Sequence, residues 1–190
     1  MQPDRLLRAV VFSALLAGTP WIVRLAPAQV EPASAEAAAF HEFTERVEQY
    51  LKLQKAMPRL RTTKNRKEIV ERRHALAEKI REARASAKPG DFFTPAASVE
   101  FRRVIQSAFK GPRAHDVRKT IREGEPLQGW HLSVNGDYPE HLPMTTLPPT
   151  LLLHLPQLPS EVAYRIIGHD FVLQDKEARL ILDFIVGAVP

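Results

Sequence analysis

Three stretches of the chain repeat apolar residues every three or four positions, which is the spacing of an amphipathic helix. They cover residues 40 to 58, 65 to 88 and 94 to 111, and a shorter fourth stretch covers 112 to 121. Thr94-Pro95 is typical of an N-cap followed by proline in the first turn. Because the connections between the stretches are short, an antiparallel arrangement of the helices is expected.

The last thirty residues follow a different pattern, with three short runs rich in β-branched and aromatic side chains. The runs cover residues 162–167, 170–174 and 180–185, and Gly168-His169 and residues 175–178 separate them as turns. This order predicts an antiparallel meander. A small sheet needs a covered face, and five leucines are the predicted cover: Leu151, Leu152, Leu153, Leu155 and Leu158.

Between the helices and the meander the chain is rich in proline, with six between positions 139 and 159. Trp130, Leu132 and Val134 alternate with polar residues and predict a short strand, Asn135-Gly136 is a strong turn signal, and residues 150–155 fit a helical turn.

These patterns together predict an α+β fold, with N-terminal basic antiparallel helices followed by a small antiparallel three-stranded β meander. The predicted segments are a signal peptide (1–28), a flexible alanine-rich lead-in (29–39), a helical region (40–126), a proline-rich connector with a short strand and a helical turn (127–161), and the β meander (162–190).

The first 28 residues have the pattern of a secretory signal peptide. Arg5 and Arg8 precede an apolar run over residues 9–23, and small residues lead to a predicted cleavage after Ala28, with 33–35 as a second site. An uncleaved anchor is the alternative, but a membrane-spanning helix needs about 20 apolar residues. We therefore expect a periplasmic or secreted protein with no transmembrane segment after leader cleavage.

The charge of the chain is segregated. Residues 40–88 carry fourteen Lys and Arg against seven Asp and Glu, whereas residues 127–190 carry three against seven. Seven basic residues cluster around the turn between the first two helices: Arg59, Arg61, Lys64, Arg66, Lys67, Arg72 and Arg73. The cluster predicts contact with an anionic envelope surface or an acidic protein, and a solvated helix hairpin is the alternative. No nucleic-acid partner is expected, because no aromatic residue in this region offers a stacking platform.

Signatures of catalysis are missing from the sequence. The chain has no cysteine, no Gly-x-Ser-x-Gly elbow and no glycine-rich phosphate loop. Asp170, Asp175 and Asp183 could form paired carboxylates, but aspartate at the end of a strand is ordinary turn chemistry. No catalytic residue and no cofactor are predicted, and the protein is interpreted as a non-enzymatic accessory or interaction protein.

Histidines of the C-terminal third are the alternative site. His131, His141 and His169, with Asp170, could form an open nitrogen and oxygen metal site in a metal-responsive periplasmic protein. Their wide spacing matches no compact ligand motif, so turn or surface histidines are the simpler interpretation.

Residues 164–173, followed by Ala178 and residues 180–183, resemble the C-terminal hairpin of the periplasmic nickel/cobalt-homeostasis regulator (RcnB-like) proteins over about thirty residues. More broadly, the leader, the charged helices and this hairpin look like uncharacterised exported bacterial proteins. The matching residues are chiefly structural, so the resemblance implies a hairpin and an exported protein rather than an activity.

Overall fold

Helices form the N-terminal part of the protein and strands the C-terminal part. The computed structural model describes residues 32–57, 64–110, 131–139 and 147–190, which belong to one unit, Glu31–Pro190. The helices are α1 (Pro32–Ala56), α2 (Arg66–Ala83), α3 (Pro95–Lys110) and the single turn α4 (Pro149–Leu152), and the strands are β1 (Val162–Ile167), β2 (Asp170–Asp175) and β3 (Leu180–Ile185). The predicted α+β class, with helices before a three-stranded antiparallel sheet, is confirmed.

Several predicted features lie outside the described residues. They are the signal peptide (1–28), the fourth helix (112–121) and the first residue of the predicted connector strand, Trp130.

Helix α1 begins earlier than the hydrophobic pattern predicted. The alanine-rich stretch 29–39 was predicted to be a flexible lead-in, but it is helical from Pro32 onward. Proline suits the first turn of a helix, and alanine has the highest helix propensity, so this stretch extends α1 without needing an apolar stripe.

Side-chain caps begin the next two helices. The Asn65 side chain accepts a hydrogen bond from the Lys67 N–H at the start of α2. The Ala97 N–H donates to Thr94 Oγ1 at 3.3 Å at the start of α3, as the Thr94-Pro95 pair predicted.

The sheet is a meander with strand order β1-β2-β3. Ile167 pairs with Asp170, which leaves Gly168-His169 as a two-residue turn. Gly168 has a φ of 59°, a left-handed conformation that glycine adopts without steric cost. The register shifts between Leu173 and Gln174 where β2 pairs with β3.

One face of the sheet and the helices share a single core. Phe43 of α1 packs edge-on against Phe101 of α3, with ring centroids 4.9 Å apart. Phe93, in the loop between α2 and α3, lies 5.0 Å from Phe101, and Phe171 of β2 lies 5.8 Å from both Phe93 and Phe101. The helices therefore pack on the sheet instead of enclosing a separate helical core.

The five leucines cover the sheet only in part. Leu151 and Leu155 are buried and Leu158 packs against the core, but Leu152 is 44% exposed and Leu153 82% exposed. The prediction was wrong for these two, because aromatic side chains of α1, α3 and the α2–α3 loop supply the cover.

The described part of the connector contains no strand at Leu132 and Val134. A turn is present here, one residue earlier than the Asn135-Gly136 pair predicted: the Gly136 N–H donates to the Ser133 carbonyl, so Val134 and Asn135 are the central residues, and Asn135 has a φ of 61°. The turn breaks the extended conformation that alternation had predicted. Leu132 instead packs with Tyr138 on the second face of the sheet.

Candidate functional site

The described residues of the predicted basic cluster lie at the start of α2. Lys64, Arg66 and Lys67 are exposed, and Arg72 and Arg73 are half-buried. Arg59 and Arg61 lie outside the described residues. Residues 64–73, called here the basic surface, contain five Lys and Arg against Glu68 and Glu71, which gives a net charge of +3.

The acidic residues of the basic surface pair along its own helix. Lys67 Nζ lies 4.0 Å from Glu71, and an Arg72 guanidinium nitrogen lies 3.6 Å from Glu68. Both are i,i+4 pairs, and such exposed pairs contribute only a few tenths of a kcal/mol. They leave the net positive charge of this surface in place.

The basic surface is exposed because only one half of α2 reaches the core. Ala77 and Ile80, in the C-terminal half, are buried. None of residues 66–75 is buried, and Leu76 packs against the core, so about 15 Å of helix, at 1.5 Å per residue, precedes the packed half.

Two acidic residues of the C-terminal third, Asp175 and Asp183, are buried in the interior. Asp183 of β3 is fully buried. Its Oδ2 accepts hydrogen bonds from the N–H groups of Phe92 and Phe93, both at 2.8 Å, and its Oδ1 accepts one from Gly90 at 3.1 Å. This single carboxylate therefore connects the α2–α3 loop to β3.

Asp175, at the end of β2, is also fully buried. Its Oδ1 accepts a hydrogen bond from the Ala178 N–H at 2.7 Å, which is the turn role that the sequence predicted. Its Oδ2 accepts from the Tyr50 hydroxyl and from Gln54 Nε2, each at 2.5 Å. Burial raises the pKa of Asp175, and burial together with the nearby Asp175 charge raises the pKa of Tyr50.

Arg84 is a buried cation near Asp183. Its guanidinium lies 5.0 Å from the ring centroid of Phe92 and 5.6 Å from that of Tyr50. It donates to Asn135 Oδ1 at 2.8 Å and to the Leu182 carbonyl at 3.2 Å. Burial lowers the pKa of Arg84. Sequence patterns did not indicate this role, because the hydrogen-bond acceptors Asn135 and Leu182 are distant from Arg84 in the chain.

Ion pairs between the helices and the acidic third lie away from the basic surface. Arg81, near the C-terminal end of α2, pairs with Asp137 at 2.7 Å, and Lys55 of α1 pairs with Glu161 at 3.4 Å. Asp137 and Glu161 thus pair with cations outside the basic surface, while Lys67 and Arg72 pair within α2.

The predicted metal-ligating residues have structural contacts. His169 Nδ1 lies 3.0 Å from the Val189 carbonyl oxygen, and Asp170 Oδ1 accepts a hydrogen bond from the Gly187 N–H at 2.7 Å. Both residues therefore hold the C-terminal segment against the β1–β2 turn. His131 is exposed, and His141 lies outside the described residues. Within the described ranges, no three His, Asp or Glu residues are grouped so that they could hold a metal ion.

Asp170, Asp175 and Asp183 bind different segments of the chain. Their hydrogen-bond partners are the C-terminal turn, helix α1 and the α2–α3 loop, respectively. Each carboxylate thus joins two parts of the fold.

None of the family models, curated proteins and solved structures compared with the chain matches it. The resemblance of the C-terminal hairpin to the nickel/cobalt-homeostasis regulators therefore stays a sequence prediction, and function is argued from the geometry. Among the described helices, none has the length and apolar character needed to cross a bilayer.

Proposed function

We propose that the protein is an exported, non-enzymatic accessory protein of the cell envelope that binds an anionic partner through the basic surface of α2. The exposure of this surface is the observation that carries the proposal. Arg66 and Lys67, in the first turn of α2, and Lys64, just before the helix, are exposed to solvent, and the net charge of residues 64–73 is +3.

The arrangement of the acidic residues supports an outward role for the basic surface. Two carboxylates of the C-terminal third, Asp175 and Asp183, are fully buried, so they present no charge to a neighbouring surface. A cationic half-helix attracts an anionic surface over roughly one Debye length, about 8 Å at physiological ionic strength. The attraction therefore weakens as salt is added.

The proposal is tested by sedimentation of the purified protein with an isolated envelope fraction at low and high salt. The test variant combines Lys64→Glu with Lys67→Glu. The control combines Lys52→Glu with Lys79→Glu, which changes the net charge equally at exposed positions on α1 and the C-terminal half of α2. A glutamate at position 67 is compatible with the first turn of a helix, so the test variant should fold.

We expect the test variant to bind the envelope at least about tenfold more weakly, since each basic residue near an anionic surface contributes about 1 kcal/mol. The control should bind nearly as the unaltered protein does. Equal weakening in both variants would show an effect of total charge alone and would overturn the proposal, as would binding that ignores salt.

A further inference from the structure

We infer that the anionic partner is a lipid bilayer and that Ile69 and Val70 of α2 insert among its acyl chains. This inference rests on the proposed function and assigns it a partner of one chemical class. It starts from the apolar residues of α2 that the protein core does not use.

The core-facing side of α2 continues beyond the core. At 100° per residue, Ile69, Val70, Ala77 and Ile80 lie within about one third of the helix circumference. Ala77 and Ile80 are buried against the core, whereas Ile69 is 41% exposed and Val70 is half-buried. The apolar stripe of the helix is thus longer than the surface that covers it.

Basic residues flank the two aliphatic side chains. Arg66 precedes Val70 by four positions, and Arg73 follows Ile69 by four, so each lies one helical turn away on the same side. Long cationic side chains can place their charge among lipid phosphates while their methylene groups lie beside aliphatic neighbours. This combination of aliphatic residues and flanking cations is that of a helix lying in the bilayer interface.

The combination favours a bilayer over an acidic protein or a soluble phosphate. Binding to phosphate alone requires only the cations and gives no role to the exposed Ile69 and the half-buried Val70 in the same half-helix. A bilayer containing anionic lipid accommodates both the cations and the aliphatic side chains. Its headgroups carry the negative charge, and its acyl chains exclude water from Ile69.

The absence of cysteine from the chain makes the insertion directly measurable. Ile69→Cys introduces one labelling site for an environment-sensitive fluorophore. Val99→Cys is the matched control, since Val99 is also aliphatic, exposed (62%) and helical but belongs to α3. Each labelled protein is mixed with phosphatidylcholine vesicles and with vesicles that also contain phosphatidylglycerol.

With the anionic vesicles, the label at position 69 should shift its emission to shorter wavelength and become protected from an aqueous quencher. The label at position 99 should do neither, and phosphatidylcholine vesicles should give no shift at either site. In the unlabelled protein, Ile69→Ser should weaken binding to anionic vesicles roughly tenfold while Val99→Ser leaves it unchanged.

Vesicle binding without an emission shift of the label at position 69 would overturn the insertion. The proposed function would then still be tested by the Lys64 and Lys67 variants. An unaltered protein that binds the envelope fraction in a charge-dependent way but ignores anionic vesicles would overturn the bilayer as the partner. Envelope binding that ignores the Lys64 and Lys67 changes would overturn the proposed function, and the inference with it.

Discussion

The carboxylate of Asp183 holds three backbone N–H groups that precede it by about ninety residues. The donors belong to Gly90, Phe92 and Phe93, and Gly90 has a φ of 92°, which favours glycine. Phe93 is part of the aromatic core, so the same carboxylate fixes both a loop and a core side chain.

Asp183→Asn should therefore lower the free energy of unfolding by about 3 kcal/mol. The amide has one acceptor oxygen, whereas both carboxylate oxygens of Asp183 accept hydrogen bonds. The amide also directs an NH₂ group toward the backbone donors. Urea unfolding measures the change. Asp170→Asn is the control, since Asp170 accepts a hydrogen bond from Gly187 at the surface, and should cost about 1 kcal/mol or less. Equal costs would contradict the role given to Asp183.

Asp175 makes stability depend on pH in a direction opposite to that of an ion-paired aspartate. Burial raises its pKa in the folded protein above the value of about 3.9 expected in the unfolded chain. The folded state thus binds the proton more tightly. The stabilisation from this group is fully present below the unfolded pKa and is lost as pH rises through the folded pKa.

Asp175→Asn removes this titration while keeping a carbonyl oxygen for the Tyr50 hydroxyl. We expect the unfolding free energy of the unaltered protein, relative to this variant, to fall as pH rises from about 3.5 to about 8. Urea unfolding of both proteins over this pH range measures this difference. The other titrating groups are common to both proteins, so their contributions cancel in the difference of unfolding free energies. A difference independent of pH would show that Asp175 does not titrate abnormally.

Among the elements, α2 is divided into a packed half and an exposed half. Ile80 is fully buried and Ile69 is 41% exposed, although both are isoleucines on the same side of one helix. Ile80→Ala should lower the free energy of unfolding by about 2–5 kcal/mol, whereas Ile69→Ala should change it by less than about 0.5 kcal/mol. Urea unfolding of the two variants compares identical chemistry. Similar losses would mean that the exposed half of α2 is packed in solution.

The elements themselves could be predicted because their signals are local. Helical spacing, the Thr94-Pro95 cap and the Gly168-His169 turn depend on neighbouring residues, and the structure has each of them. The start of α1 was missed because its first residues are helical by alanine propensity and carry no apolar stripe.

The tertiary contacts between these elements could not be predicted in the same way. Asp183 and Arg84 have no unusual neighbours in sequence. Asp183 binds backbone groups about ninety residues earlier, and Arg84 donates hydrogen bonds to Asn135 and Leu182, 51 and 98 residues later. For the candidate site, the charge density of residues 59–73 was visible in the sequence. The exposed apolar stripe beside it was not, because the same spacing predicts a fully packed helix.

In the molecule as a whole, helices and sheet share one core, so neither part has a complete core of its own. Phe43, Phe101, Tyr164 and Phe171 meet from α1, α3, β1 and β2. We therefore expect one cooperative unfolding transition: the far-UV signal of the helices and the near-UV signal of the aromatic core should give the same urea midpoint. Separate midpoints would show that the helical and β parts unfold independently.

The hydrogen bonds from residues 90–93 to Asp183 also bear on when the protein can fold during its synthesis. A ribosome makes the three loop donors about ninety residues before their acceptor. Until residue 183 and the sheet have left the ribosome, the phenylalanines of the helical part lack the sheet face that covers them in the folded protein. Chaperones bind exposed apolar side chains of this kind. Premature termination ahead of β3 would yield a chain with an open core, which cellular proteases remove.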